Sequence, residues 1–202
     1  MRSRAAASVL EGKGFRNVFN MEGGIRAWEG GVAEGLPAAG IAYFTAAGKP
    51  EEFIALAWML EEGSRRFYSE VPALVADEET KKLFRDLTTA EEHHKASLVS
   101  LYKTFTGAEP GEDFPGPILP SEETGDIMEG GMNVSEALNW VKGKNPAAIF
   151  ELAMALETNA YDLYLKMRYQ LKDETSGQVF DHLAKEEKKH LELLAALFER
   201  KV

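Results

Sequence analysis

An internal repeat is the feature that most restricts the possible folds of this 202-residue chain. When the sequence is shifted by 96 positions, residues 50–98 align with residues 146–194 without a gap, and 13 of the 49 aligned pairs are identical. Apolar residues recur every three or four positions in each copy, which predicts amphipathic helices. The first helix is predicted to begin at Pro50 and the second at Asp77, a good N-cap. The repeat therefore predicts two similar helical hairpins, with four long helices in all.

Four of the identical pairs are polar and lie away from the predicted helix ends, so capping does not explain them. They are Glu61 with Glu157, Tyr68 with Tyr164, Glu91 with Glu187, and His94 with His190. In both copies the two glutamates are 30 positions apart, and the histidine follows the second glutamate by three. Residues three apart leave the same face of a helix, here the face that carries core leucines. The pattern predicts that four carboxylates and two imidazoles converge inside a bundle.

Such a cluster requires compensating positive charge, because burying ionised groups without partners costs several kcal/mol each. No basic residue is repeated with the cluster. Two divalent ions would balance four carboxylates, and oxygen and imidazole ligands without sulfur favour iron or manganese. The predicted metal ligands are Glu61, Glu91, His94, Glu157, Glu187 and His190. Charged residues that have no like partner in the other copy are predicted to lie at the surface, namely Glu62, Glu92, His93, His182 and Glu186.

One glutamate from each of two helices, with Glu-x-x-His from each of the other two, is typical of ferritin-like di-iron bundles. Residues 49–200 resemble the ferritin-like domain of the rubrerythrin family, in the segments LEEGSRRFY…LTTAEEHH and LETNAYDLY…LAKEEKKH. The resemblance implies a mainly α fold, a ferritin-like four-helix bundle over residues 41–202. The glycine- and proline-rich segment 106–133 is then a long crossover between the second and third long helices, followed by a short helix at VSEALNWV (134–141).

The resemblance also implies roles for the repeated residues. Glu91 and Glu187 would bridge two iron ions, with manganese as the alternative metal. Glu61 and Glu157 would be terminal ligands, and His94 and His190 would complete one metal each. Tyr68 and Tyr164 would be catalytic-site residues whose hydroxyls hydrogen-bond ligand carboxylates across the bundle. Classical members carry a further carboxylate one turn from the third-helix ligand, whereas here Met154 and Ala160 flank Glu157 at those positions.

The N-terminal segment RSRAAASVLEGKGFRNVFNMEGGIRAWEGG (2–31) resembles the C-terminal end of a rhodanese domain. Arg2 and Ser3 match the end of the active-site loop of that family, whose cysteine would lie before Met1. We therefore interpret residues 1–40 as a truncated rhodanese-like segment with a helix and one short strand. The chain contains no cysteine, so no sulfurtransferase activity is expected from it.

The function implied by the resemblance is that of a di-iron oxidoreductase that reduces hydrogen peroxide or dioxygen. Classical rubrerythrins also carry a four-cysteine, rubredoxin-like iron module, which this cysteine-free chain lacks, so an external electron donor is expected. The alternatives are an iron-binding or storage protein and a structural di-metal bundle. The unpaired N-terminal strand would need burial, which favours a homodimer.

The charge pattern and the hydropathy of the chain restrict its partners and its location. The net charge of −10, with no basic tract, argues against nucleic acid as a partner. No apolar run reaches the length that would cross a membrane, and the first residues do not show the apolar core expected of a secretion signal. A cytoplasmic location without membrane contact is therefore expected.

Overall fold

The computed structural model of the protein describes residues 49–201, apart from residue 117, residues 120–125 and residue 172. Five α-helices lie in this part of the chain: α1 Pro50–Leu74, α2 Glu78–Thr106, α3 Val134–Val141, α4 Pro146–Gln170 and α5 Glu174–Lys201. The mainly helical, ferritin-like fold predicted from the sequence is confirmed, and α3 has the bounds expected for the short helix. The predictions for residues 1–40 fall outside the described residues, and the domain boundary after residue 40 stays a prediction.

Residues that stabilise helix ends recur at equivalent places in the two hairpins. Pro50 and Pro146 occupy the first turns of α1 and α4, where a missing N–H costs nothing. The Asp77 carboxylate accepts a hydrogen bond from the Thr80 backbone N–H at 2.8 Å, and Asp173 accepts one from Ser176 at the same distance. The repeat thus places the starts of all four long helices, because capping depends on local sequence.

The long helices pack as two antiparallel hairpins, α1 with α2 and α4 with α5, and α2 also contacts α5. Their buried apolar residues form two clusters, one containing Leu60 of α1 and Leu163 of α4, the other containing Phe67 of α1 and Leu156 of α4. On every long helix the candidate ligands fall between residues of one cluster and residues of the other. The polar residues therefore occupy one layer, closed above and below by hydrophobic core.

A small hairpin ends the crossover between α2 and α3. Strand β1, Ile127–Met128, pairs antiparallel with β2, Met132–Asn133, and a 3₁₀ turn, Glu129–Gly131, joins them. The hairpin backbone lies directly on α1 at Gly63, where a Cβ atom would come within 2.7 Å of the Met128 Cα. This close approach is beyond what helix periodicity predicts, and it brings Glu129 into the bundle.

No helix among the described residues is both long enough and apolar enough to span a lipid bilayer.

Candidate metal centre

The structure brings all six predicted ligands into the polar layer. Glu61 comes from α1, Glu91 and His94 from α2, Glu157 from α4, and Glu187 and His190 from α5. The four glutamates are fully buried, and the two histidines are only 3% and 6% exposed. Because each hairpin contributes one glutamate and one Glu-x-x-His pair, the site has the approximate twofold symmetry of the repeat.

The ligand atoms form two overlapping sets, and within each set they lie within 4.8 Å of one another. The first set contains Glu61, Glu91, His94 and Glu187, and the second contains Glu91, Glu157, Glu187 and His190. Glu91 and Glu187 belong to both sets. The arrangement could therefore hold two cations side by side, with two carboxylates between them.

In the first set the imidazole of His94 lies among three carboxylates. Its Nδ1 is 3.2 Å from Glu61 Oε2, 3.2 Å from Glu91 Oε2 and 2.9 Å from Glu187 Oε1. A single ring nitrogen carries at most one proton, so it cannot satisfy all three carboxylates. The other oxygen of Glu91, Oε1, is a buried acceptor with no hydrogen-bond partner among the described residues. Such an orphaned oxygen fits a site whose missing partner is a cation.

In the second set the imidazole of His190 lies against two carboxylates. Its Nδ1 lies 3.1 Å from Glu157 Oε2 and 3.2 Å from Glu187 Oε2. The rings of His94 and His190 stack with their centroids 5.4 Å apart, so the two sets are neighbours in the same layer. Buried oxygen and imidazole donors without sulfur are suited to iron or manganese.

Burial and mutual repulsion change the proton affinity of these groups. Burial raises the pKa of Glu61 well above its ordinary value, and the nearby Glu91 adds to the effect. Burial likewise raises the pKa of Glu157, with a contribution from Glu187. Burial alone would lower the pKa of His190, but its hydrogen bonds to Glu157 and Glu187 raise it to about 11. Without a metal, protons supply the positive charge that the cluster needs, and a bound cation would displace them.

Each of the two repeated tyrosines contacts a glutamate of the opposite hairpin. The Tyr68 hydroxyl on α1 donates to Glu157 Oε1 at 2.5 Å, and the Tyr164 hydroxyl on α4 donates to Glu61 Oε1. Both side chains are fully buried. Burial, together with the charge of Glu157, raises the pKa of Tyr68, which keeps its proton available for the hydrogen bond. The tyrosines thus orient Glu61, which belongs only to the first set, and Glu157, which belongs only to the second.

A fifth buried carboxyl group, Glu129, was missed by the sequence analysis. It is fully buried and lies beside the first set, where it contacts Ser64 and Tyr164. Glu129 lies between the two copies of the repeat, so the alignment of one copy with the other does not include it. Gly130 and Gly131 between Met128 and Met132 are a signal for a hairpin turn. That signal does not show which way the glutamate faces.

The charged residues without a like partner in the other copy lie outside the cluster. Glu92, His93 and His182 are exposed. Glu62 is partly buried, but on the outer side of α1, where it pairs with Arg65 at 2.7 Å and Lys95 at 2.5 Å. Glu186 is also partly buried and pairs with Lys189 at 2.5 Å. Within the two copies of the repeat, the glutamates and histidines that recur away from the helix ends are buried, and the five that do not recur lie outside the cluster.

Comparison with known proteins identifies relatives of the bundle. The family Rubrerythrin matches residues 52–198, about three-quarters of the chain. Among solved structures, the chain is similar to hypothetical protein Pfu-1136390-001 from Pyrococcus furiosus, with 26% sequence identity and a TM-score of 0.58. That similarity covers 82% of this chain and 95% of the other. No curated protein shows a significant match.

Proposed function

The chain belongs to the rubrerythrin family, and we propose on this basis that it is a di-iron oxidoreductase that reduces hydrogen peroxide or dioxygen. The observation that carries the proposal is the pair of overlapping ligand sets, each with one histidine and three carboxylates, in a layer closed by hydrophobic core. A structural bundle of this size does not need so many buried charges, since burying them weakens the apo fold.

We assign the six residues to a pair of iron ions. Glu91 and Glu187 would bridge the ions, because they belong to both sets. Glu61 with His94 would complete one ion, and Glu157 with His190 the other. The orphaned Glu91 Oε1 and the donor types support this assignment.

A bound iron pair would supply the two electrons that peroxide reduction requires. The chain's own residues have separate tasks. Tyr68 and Tyr164 hold Glu157 and Glu61 in position, so the terminal ligands do not rotate away. The buried layer excludes bulk water, and the hydroxyls of Tyr68 and Tyr164 hold protons next to the ligand carboxylates, where peroxide reduction needs them.

Electrons must then come from outside the chain, because it has no cysteine with which to build an iron–sulfur or rubredoxin-type centre. We propose a rubredoxin-like protein as the donor. The homodimer suggested by the sequence stays a prediction.

The test is anaerobic loading of the protein with ferrous iron, followed by rapid mixing with peroxide. We expect peroxide to be consumed in proportion to the loaded iron pairs, and the ferric absorption to rise at the same rate. Glu92→Ala, which removes an exposed carboxylate next to Glu91, is the matched control and should behave as wild type. Loaded protein that leaves peroxide intact would contradict the proposal and favour a structural bundle. Uptake of many iron ions per chain into large particles would instead favour storage.

A further inference from the structure

Glu129 is a buried acid that lies beside the acids of the metal centre. It is fully buried, and in the part of the chain that the structure describes it forms no ion pair with lysine, arginine or histidine. The carboxylates of the metal centre, Glu61 above all, repel a negative charge on Glu129. A buried acid placed among other acids is costly, so its position needs a reason.

The backbone around Glu129 is shaped to bring it there. Gly63 on α1 leaves room for the hairpin, because any side chain would overlap with the backbone of Ile127 and Met128. Gly130 has a φ of +78°, which favours glycine, and a Cβ at this position would overlap with the side-chain amide of Asn159 on α4. The turn is therefore inserted between α1 and α4 with Glu129 at its inner end.

Hydrogen bonds and an ion pair of Asp126 fix the end of the hairpin opposite the turn. The Asp126 backbone carbonyl accepts a hydrogen bond from the Val134 N–H at 2.7 Å, and its carboxylate accepts one from the Ser135 N–H at 2.9 Å. Arg66 of α1 lies 2.6 Å from the other Asp126 oxygen. The hairpin is thus fixed to α1 on one side and to α3 on the other, and this fixes the backbone on both sides of Glu129.

The hydrogen bonds of Glu129 leave one end of its carboxyl group weakly held. Ser64 donates its hydroxyl to Glu129 Oε2 at 2.9 Å. On the other side, Glu129 Oε1 is 3.3 Å from the Tyr164 oxygen, but Tyr164 has a single proton and shares it with Glu61. Oε1 therefore lacks a strong donor of its own. It also lies beside the same tyrosine that positions Glu61.

We propose that Glu129 is a seventh residue of the metal centre, a carboxylate ligand that the crossover supplies to the ion held by Glu61, Glu91, His94 and Glu187. The proposal rests on the proposed function, since it requires the metal pair. Ser64 would anchor one oxygen while the other binds the ion. The second ion gains no such ligand, because the residue equivalent to Ser64 in the repeat is Ala160. The two metal positions are then chemically different.

Titration of the metal-free, full-length protein with cobalt(II) tests this without any catalytic readout, because cobalt absorption reports coordination. We expect wild type to bind about two ions. Glu129→Gln should still bind two, but one of them roughly 10- to 100-fold more weakly and with an altered visible spectrum. The control Glu151→Gln removes the same charge from an exposed position on α4 and should match wild type.

Unfolding of the metal-free proteins separates a ligand from a structural residue. Glutamine can keep the Ser64 hydrogen bond and removes an acid from among four others, so metal-free Glu129→Gln should be at least as stable as wild type. Glu129→Asp keeps the carboxyl group but on a shorter side chain, so it should also weaken the binding of one ion and alter the cobalt spectrum. This variant provides the test if Glu129→Gln does not fold.

An unchanged cobalt spectrum and affinity in both variants would overturn the proposal. So would a loss of affinity that is matched by an equal loss of metal-free stability, since Glu129 would then only support the fold. Wild-type protein that binds no cobalt pair would refute the proposed function itself, and this result is distinct from the other two.

Discussion

Each hairpin of the bundle contributes two glutamates, one histidine and one tyrosine at equivalent positions. The hairpins differ, however, two and three residues after the glutamates of α1 and α4. In the first hairpin Gly63 and Ser64 follow Glu61, and they admit and hold the crossover turn with Glu129. At the equivalent positions of the second hairpin are Asn159 and Ala160. Duplicated residues thus account for what the metal positions share, and residues outside the repeat account for how they differ.

The largest predicted effect distinguishes shared from unshared ligands. Glu91→Ala removes a carboxylate that belongs to both sets, so the purified protein should lose both metal ions, as measured by elemental analysis. Glu157→Ala affects only the second set and should retain about one ion. Glu92→Ala is the control for the loss of a neighbouring charge. Retention of two ions by Glu91→Ala would show that the two sets are not joined by this residue.

The next largest effect is expected from a substitution at the contact between α1 and the crossover hairpin, and it should appear in the free energy of unfolding. Gly63→Ala forces a methyl group into the backbone of Ile127 and Met128, which should lower the free energy of unfolding by about 1–3 kcal/mol. Gly177 is also helical, but it has open space around it, so Gly177→Ala should raise that free energy by about 0.5–1 kcal/mol. Chemical denaturation measures both. If Gly63→Ala instead raised the free energy of unfolding, as Gly177→Ala is expected to do, the hairpin would not rest on α1.

Replacement of the tyrosines tests the symmetry of the halves directly. Tyr68→Phe leaves Glu157 without its donor, and Tyr164→Phe does the same to Glu61. Each should weaken cobalt binding at its own position by roughly tenfold. Tyr164→Phe should have the greater effect, because that hydroxyl also contacts Glu129. Identical binding curves for the two variants would argue that the centre is symmetric despite Glu129.

The smallest predicted difference lies at the helix caps. Asp77 and Asp173 cap α2 and α5 in the same way, but Asp77 also pairs with Lys201 at 2.8 Å. Asp77→Ala should therefore lower the thermal midpoint at neutral pH slightly more than Asp173→Ala does. Asp77→Asn, which keeps a capping side chain, should recover part of the loss.

The stabilisation that the Asp77 carboxylate contributes should decrease as the pH falls. Hydrogen bonds from Lys201 and Thr80 lower the pKa of Asp77 below its ordinary value. Its extra stabilisation is therefore present above the ordinary pKa of an aspartate and is lost as the pH falls through the lowered value. The thermal midpoints of wild type and Asp77→Ala should converge in acid. A gap that stays constant with pH would show that the charge of Asp77 does not contribute to stability.

Much of the candidate site could be predicted from the sequence because helices are local structures. Apolar spacing placed the long helices, and Asp77, Pro146 and the Val134–Val141 segment marked boundaries that the structure confirms. Once the helices are known, residues three or four apart must share a face. The repeat then selected which polar residues on those faces point inward.

Glu129 could not be predicted in this way, because its position depends on contacts between distant parts of the chain. Its hydrogen bond to Ser64 spans 65 residues, and the approach of the hairpin depends on the absence of a side chain at Gly63. No periodicity marks a residue in a crossover as buried.

The sequence by itself determined the helices, their caps and the convergence of six ligands and two tyrosines, since periodicity and duplication are properties of the chain. Only the tertiary structure decided that the two halves are unequal. The crossover turn contacts α1 and α4, and it enters where Gly63 and Ser64 leave space and a hydrogen-bond donor.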